Sequence, residues 1–487
     1  MTILKRETAA RRAFIWVLVY AIPTFQATLP VEDPDFWWHL RTGQWIVEHG
    51  WVPMVDAFSA HGMGKPWVAY SWLFEIIIYA IYSVVGLVGI VIFTVVMSLL
   101  IALAVHALMR MARLPFVLEV VVMAVALGSL KPMISPRSWL FTILFFALEL
   151  SVLLNVRRSG NTNLLWTLPA LFALWANIHI QFIYGLAAVV FLVMEVVVSQ
   201  LRGSTPETKA LAGLPLARLC GVAATCVLAT FFTPYHYHLF RPIIEISAQT
   251  GVFSTVAELH PLLFRSLADW FVLALVLVAV FLLGWGRQWR VFPSLLLLMG
   301  VFLAFRARRD AWVVVVAALA VICEFRRNAV AADVYSFSRS GIVAIAAAVA
   351  LSTFLIGNYR GITNQQLERV VEQQFPVKAV EFIIHHQLPG PLFNNFDWGG
   401  YLIWHLHGWP VSIDNRGNVH GDERIERSLA TWSGAAGWSD DPDLANARLV
   451  VGELGRPLIS LLRLDPRFKL VYEDSTAVVF VRASGKN

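Results

Sequence analysis

The chain alternates long apolar runs with short polar breaks. A helix that crosses a bilayer needs roughly 20 apolar residues. The first such run covers about 13–31. Others follow at about 87–108, 115–131, 138–156, 164–178, 183–200, 215–233, 268–286, 292–306, 311–324 and 340–357. The pattern predicts an α-helical polytopic membrane protein with about eleven spans. Residues 72–84 are apolar but short and hold Glu75, so they read as an interfacial or re-entrant helix. Beyond about 358 polar and apolar residues interleave. Arg448–Gly452, Phe468–Tyr472 and Val478–Val481 read as short strands, the last after a turn at Asp474–Ser475. Helical runs lie near 365–387 and 455–463. This is the pattern of a small soluble α/β domain. The expected organisation is a transmembrane domain over 1–357, its first loop at about 32–86, and an extracytoplasmic α/β domain over 358–487.

Composition agrees. Of 487 residues, 58% are hydrophobic and 14% charged, with a mean hydropathy of +0.66. Ordinary soluble domains carry about 25% charged residues. A chain this poor in charge cannot cover a water-facing surface, so lipid is its solvent. The net charge of +6 calls for no nucleic-acid partner, because the basic residues fall in short clusters between apolar runs. Lys5, Arg6, Arg11 and Arg12 precede the first run and no small-residue cleavage site follows it, which reads as an uncleaved first span. Cys220, Cys226 and Cys323 lie within apolar runs and offer neither a disulfide framework nor metal spacing.

Charge sets the expected orientation. With a cytoplasmic N-terminus, successive cytoplasmic loops hold Arg110 and Arg113, Arg157 and Arg158, Arg202 and Lys209, Arg287 and Arg290, and Arg326 and Arg327. Each is a basic pair, as the positive-inside rule requires. The same topology places Lys131, Arg137, Arg306, Arg308 and Arg309 on the extracytoplasmic side, close to span ends. Snorkelling to lipid headgroups is one reading of these cations; a functional site is the other.

Candidate chemistry follows the first span. In Val31-Glu-Asp-Pro-Asp-Phe-Trp-Trp-His-Leu40, Asp35 and His39 share a face if a helix begins there. Asp35 is equally suited to be that helix's N-cap. Asp33 precedes the proline. Further on, Asp56 and Ser59 suit a hydrogen-bonded turn, and the tryptophans suit an interfacial belt. Glu75 in an apolar helix is costly unless paired or wet; His39 and the extracytoplasmic cations are the partners on offer. Asn177 and His179 mark the outer end of one span, and Tyr235-His236-Tyr237-His238 another, without a third metal ligand. In the C-terminal part, Gly399-Gly400 permits close backbone approach, and Asp414 and Arg416 flank a turn where they can pair.

Together these residues resemble a known group. Asp35-Phe-Trp-Trp-His-Leu-Arg-Thr-Gly43, Pro53-x-x-Asp56-x-Phe-Ser59 and Trp72-Leu-Phe-Glu75 are similar to motifs of bacterial membrane proteins in the GT-C glycosyltransferase superfamily, distant relatives of protein O-mannosyltransferases and aminoarabinose transferases. Leu174-Trp-Ala-Asn-x-His179, the Phe393–Trp404 segment, Ile413-Asp-Asn-Arg416 and the final Leu470–Arg482 stretch extend the resemblance over nearly the whole chain. It implies a multi-pass protein of the inner membrane. It implies a polyprenyl-phosphate sugar as donor and a glycan, lipid or protein acceptor outside the cytoplasm. It also implies that a first-loop acid acts as base. Asp35 matches that position, ahead of Asp33 and Asp56. No cofactor is read from the sequence, and a divalent cation stays open.

The implied chemistry is physically sound. A sugar hydroxyl is a poor nucleophile, and a positioned carboxylate can take its proton. The departing lipid phosphate gains charge that fixed cations stabilise, and a guanidinium can hold phosphate through two bonds. The expected substrate-binding groups are His39, Glu75, Lys131, Arg137, His179, Arg306, Arg308 and Arg309, all expected on one membrane face. A transporter would instead carry charges near mid-span and repeated halves, and neither is visible. A polysaccharide polymerase or ligase of related architecture would differ in its donor, a lipid pyrophosphate. A non-catalytic assembly protein would keep the fold, but it would not need Asp35, Glu75 and Arg137.

Overall fold

The computed structural model describes residues 2–202, 213–249, 251, 256–285, 290–325 and 337–483. Lys209, Arg287, Arg326 and Arg327, and the side chains of Lys5 and Arg6, lie outside the described residues. Each of the apolar runs carries a helix. Among the described residues six helices are long and apolar enough to cross a membrane: Leu87–Arg110, Phe116–Met133, Trp139–Ser159, Phe182–Leu201, Leu267–Trp285 and Arg339–Tyr359. The first helix, Thr2–Ala27, stops short of the expected residue 31. Pro30 follows it and does not continue a helix. Arg360 holds its end, donating from Nη1 to the Phe25 carbonyl and to Thr28 Oγ1, both at 2.7 Å.

The chain forms two compact units. One comprises Met1–Leu29, Val91–His236 and Glu258–Ile362; the other comprises Pro30–Ile90, Tyr237–Ala257 and Thr363–Asn487. The second therefore joins the first loop to the C-terminal part.

In the first unit the helix Ala311–Phe325 is central. Its residues from Ala311 to Glu324 are all buried. The sequence is apolar all round and rich in Ala and Val, which suits a helix enclosed by others. It packs against Val291–Arg306, Leu267–Trp285, Trp139–Ser159 and Phe116–Leu130. A Cβ on Gly300 would lie 2.7 Å from the Val314 Cα, so the first of these contacts is backbone to backbone. Arg157, read from sequence as half of a basic loop pair, is buried. It donates to Glu195 at 2.7 and 2.8 Å and pairs with Glu324. Arg158 and Arg290 face Glu324 at 3.5 and 3.8 Å.

The second unit holds a four-stranded sheet: β1 Leu392–Asn394, β2 Leu449–Glu453, β3 Phe468–Glu473 and β4 Ala477–Arg482, in the order β1-β2-β4-β3. β1 runs parallel to β2; the other pairs are antiparallel. Phe393, Trp432, Val450, Leu458 and Phe480 fill the core beside it. The helix Asp35–His49 belongs to this unit and packs on Trp72–Val85 and on Gly399–His405. Glycines permit both contacts: a Cβ on Gly43 would meet the Glu75 carbonyl oxygen at 2.0 Å, and one on Gly400 the Pro34 carbonyl oxygen at 2.6 Å.

Candidate active site

Asp35 is the first residue of its helix, with Pro34 at the capping position. The bond a cap would make comes from Asp33, whose Oδ1 accepts the Asp35 N–H at 3.0 Å. The expectation that Asp35 caps the helix is thus corrected to Asp33. The reason is Pro34: its φ of −61° and ψ of −31° already fit a helix start, and it has no N–H to satisfy. The next N–H is that of Asp35, and Asp33 reaches it. Both carboxylates are half-buried. Asp35 stands where the helix dipole favours negative charge.

One turn on, His39 bonds through Nδ1 to Glu75 Oε1 at 2.9 Å, with both side chains buried. This is one of the partners the sequence offered for Glu75. The indole N–H groups of Trp37 and Trp38, and Glu75 Oε2, are buried without a hydrogen-bond partner among the described residues.

Asp56 is buried in a knot of charge. Its Oδ1 accepts the Phe58 N–H at 3.1 Å and an Arg416 N–H at 2.7 Å. Its Oδ2 accepts from the Ser59 backbone at 3.2 Å and from the Ser59 hydroxyl. Both oxygens are occupied, so the carboxylate anchors the loop. Arg416 also holds Asp414 through Nε and Nη2, each at 2.8 Å, and lies over the rings of Trp67 and Phe58 at 4.6 and 5.3 Å. Burial pushes the Asp414 carboxyl up, but Arg416 and His420 beside it outweigh that and hold it far below the usual range. The backbone agrees: Ala60 N–H donates to the Val411 carbonyl, and Val411 N–H to that of Phe58.

The cations expected on the extracytoplasmic side, Lys131, Arg137, Arg306, Arg308 and Arg309, lie in the first unit. Arg137 donates to Glu258 at 3.1 Å and stacks over Trp139 at 4.6 Å. Burial raises the Glu258 carboxyl, yet the positive charges of Arg137, in contact with it, and of Arg309 hold it below its ordinary value. Arg308 turns elsewhere, to Ser266 Oγ at 3.3 Å and Asp269 at 3.5 Å. Asp310 accepts from Gln181 at 2.6 Å and from Tyr184 at 3.3 Å. Electrostatically, Arg306 and Arg309 both act on this Tyr184–Asp310 pair. His179 Nδ1 lies 3.0 Å from Thr142 Oγ1. Lys131 is exposed.

Sequence reasoning passed over Glu258, Asp310 and Tyr184. A signal existed for Asp310, an acid directly after two arginines at a span end. None existed for Glu258, in a loop without pattern. Among the described residues no group of three or more His, Cys, Asp or Glu side chains is arranged to hold a metal ion.

The fold has known counterparts. The chain matches the oligosaccharyltransferase of Archaeoglobus fulgidus in its apo form with a TM-score of 0.54 at 11% identity, covering 92% of this chain and 69% of that one. It matches the same enzyme, tethered by a disulfide to an acceptor peptide containing the NVT sequon, with a TM-score of 0.51 at 11% identity, covering 90% and 69%. No protein-family model and no curated protein matches the sequence. At this identity the likeness shows the fold alone: the chain shares the architecture of that oligosaccharyltransferase.

Proposed function

We propose that this chain is a membrane glycosyltransferase that moves a sugar from a polyprenyl-phosphate donor to an extracytoplasmic acceptor, with Asp35 as general base. The observation that carries the reading is the fold shared with an oligosaccharyltransferase over 92% of the chain. Asp35 is favoured within the first loop because it matches the motif position of the base and stands half-buried at the first position of its helix. Both Asp56 oxygens are held by Arg416 and by loop donors, and Asp33 caps the helix.

The donor phosphate falls to Arg137 and Arg309. With Arg306 they make three cations against two acids, Glu258 and Asp310, which leaves positive charge for an anion. Arg306 supplements them, whereas Arg308 is engaged by Asp269. The topology that goes with this reading has about eleven spans, a cytoplasmic N-terminus and an extracytoplasmic C-terminus in the inner membrane. The peptide bound by the neighbouring enzyme makes a protein acceptor the first to try, before glycan and lipid.

The test is sugar transfer by the purified chain in vesicles, from a panel of polyprenyl-phosphate hexoses and pentoses. Removing a general base costs 10²–10⁴-fold in rate, so Asp35→Asn should lose transfer to about that degree with an unchanged melting temperature. Near-normal turnover would overturn the assignment and move the base to Asp33. Arg309→Gln and Arg137→Gln should raise the KM for donor and leave that for acceptor. Reporter fusions after Arg157 and after Arg482 should read opposite sides of the membrane; a shared side would break the topology.

A further inference from the structure

In the first unit the helices Thr2–Ala27, Leu87–Arg110 and Arg339–Tyr359 enclose a cavity of about 550 Å³. That is within the usual range for a ligand pocket. Most of its wall is apolar, from Leu99, Leu103, Ile342, Ile345, Ala346 and Val349. One end is not. The Tyr20 hydroxyl lies 2.7 Å from His106 Nδ1, and His106 Nε2 lies 3.0 Å from Glu119 Oε1. Glu119 Oε2 lies 3.7 Å from Arg110 Nη1. Trp16 stacks on the His106 ring with centroids 4.1 Å apart, fixing the imidazole at the cavity wall.

The shape and the charge describe an amphiphile. Arg113 is exposed close by in the chain, and Arg12 lies over Phe116 at 5.3 Å, on the helix that carries Glu119. Arg110 lines the cavity, and Arg12 stands one helical turn before Trp16, which also lines it, so two arginines stand against Glu119 at this end. Basic pockets between spanning helices hold the heads of anionic lipids. The helix Arg339–Tyr359 buries only Val349 among its described side chains. The gap beside it therefore opens to lipid, where an acyl chain can enter sideways.

We propose that this cavity binds one anionic phospholipid, its acyl chain along the apolar wall and its phosphate at Arg110. The site is separate from the residues assigned to sugar transfer and needs no catalytic step. A lipid held there fills the gap between Thr2–Ala27, Leu87–Arg110 and Arg339–Tyr359.

The probes are dioleoyl phosphatidylglycerol and dioleoyl phosphatidylcholine, titrated into the delipidated full-length chain in detergent and counted by native mass spectrometry. The wild type should retain one phosphatidylglycerol at least tenfold more tightly than phosphatidylcholine. Arg110→Gln should remove that preference while leaving chain binding. Ala346→Phe, which fills the cavity from an exposed helix position, should weaken both lipids. Equal retention of the two lipids by the wild type overturns the proposal, as does an undiminished preference in Arg110→Gln. If Ala346→Phe does not fold, Leu103→Phe fills the same space from the opposite wall, and unchanged binding in that variant also overturns it.

Discussion

Arg157 in the first unit and Arg416 in the second each sit between two carboxylates, with 2% and 1% of their side-chain surface exposed. They are assembled differently. Arg157 takes both partners from other helices, Glu195 and Glu324, and two more arginines, Arg158 and Arg290, stand near Glu324. Arg416 takes one partner from its own turn, Asp414, and the other from Asp56, 360 residues earlier. Near Arg157, three cations answer two acids. Near Arg416, one guanidinium answers two acids, with His420 as the remaining member. The first network has a reserve of positive charge, whereas the second depends on a single side chain.

Removing Arg416 should therefore have the largest effect. Breaking a buried ion pair by deleting one partner costs about 3–5 kcal/mol, and Arg416→Met leaves two buried carboxylates behind. Hydrogen exchange should speed up in the peptides 53–67 and 411–420 by an amount at the top of that range. Adding Asp56→Asn and Asp414→Asn should recover a large part, because an uncharged knot leaves no carboxylate stranded. No recovery in the triple variant would mean that Arg416 acts through its packing on Trp67 and Phe58. Arg157→Met should cost less, near about 3 kcal/mol, because Glu324 keeps Arg158 and Arg290 and only Glu195 loses its cation. An equal loss in both variants would break the comparison.

Acid should separate the units as well. The Asp414 carboxyl is depressed in the folded protein, so the unfolded chain takes up its proton first. Its contribution is complete above the ordinary aspartate value of about 3.9 and is lost as pH falls below that. Each pH unit below it costs about 1.4 kcal/mol per such group until the folded value is reached. Exchange in 411–420 should rise between about pH 4 and 3 in the wild type and stay flat in Asp414→Asn. A wild-type rise beginning near pH 6 would place the sensitivity on another group.

These contrasts follow what the chain shows on its face. The apolar runs were legible by their length, and the strands near 449, 468 and 478 as runs of five or six residues rich in Val, Leu and Phe. β1 was not, since its three residues show no alternation and exist only by pairing with Leu449–Val451. The Asp414–Arg416 pair was legible because two residues of a turn hold both groups. Asp56–Arg416 was not, because nothing local announces a partner so far along the chain. Glu195 and Glu324 were hidden by their surroundings, one within an apolar run and the other ending one. The basic loop pairs drew attention to topology, although Arg157 is equally a structural tie.

The smallest effect concerns Asp33, whose bond is as local as that of Asp414. Its Oδ1 accepts the Asp35 N–H, and losing a cap costs about 1 kcal/mol. Asp33→Ala should lower stability by that much, with fraying limited to the first turn of Asp35–His49. Asp33→Asn keeps an acceptor oxygen at the same place and should be nearly neutral. This pair of variants also probes the chemistry, because an amide can cap a helix but cannot take a proton from a sugar hydroxyl. If Asp33 only caps, Asp33→Asn keeps turnover while Asp35→Asn loses it. If Asp33 is the base, Asp33→Asn loses 10²–10⁴-fold at full stability, and Asp35 becomes the residue that merely begins the helix. The placement leaves room for that reversal, since Asp33 is half-buried beside Asp35, whereas Asp56 is buried with both oxygens held by partners in its knot.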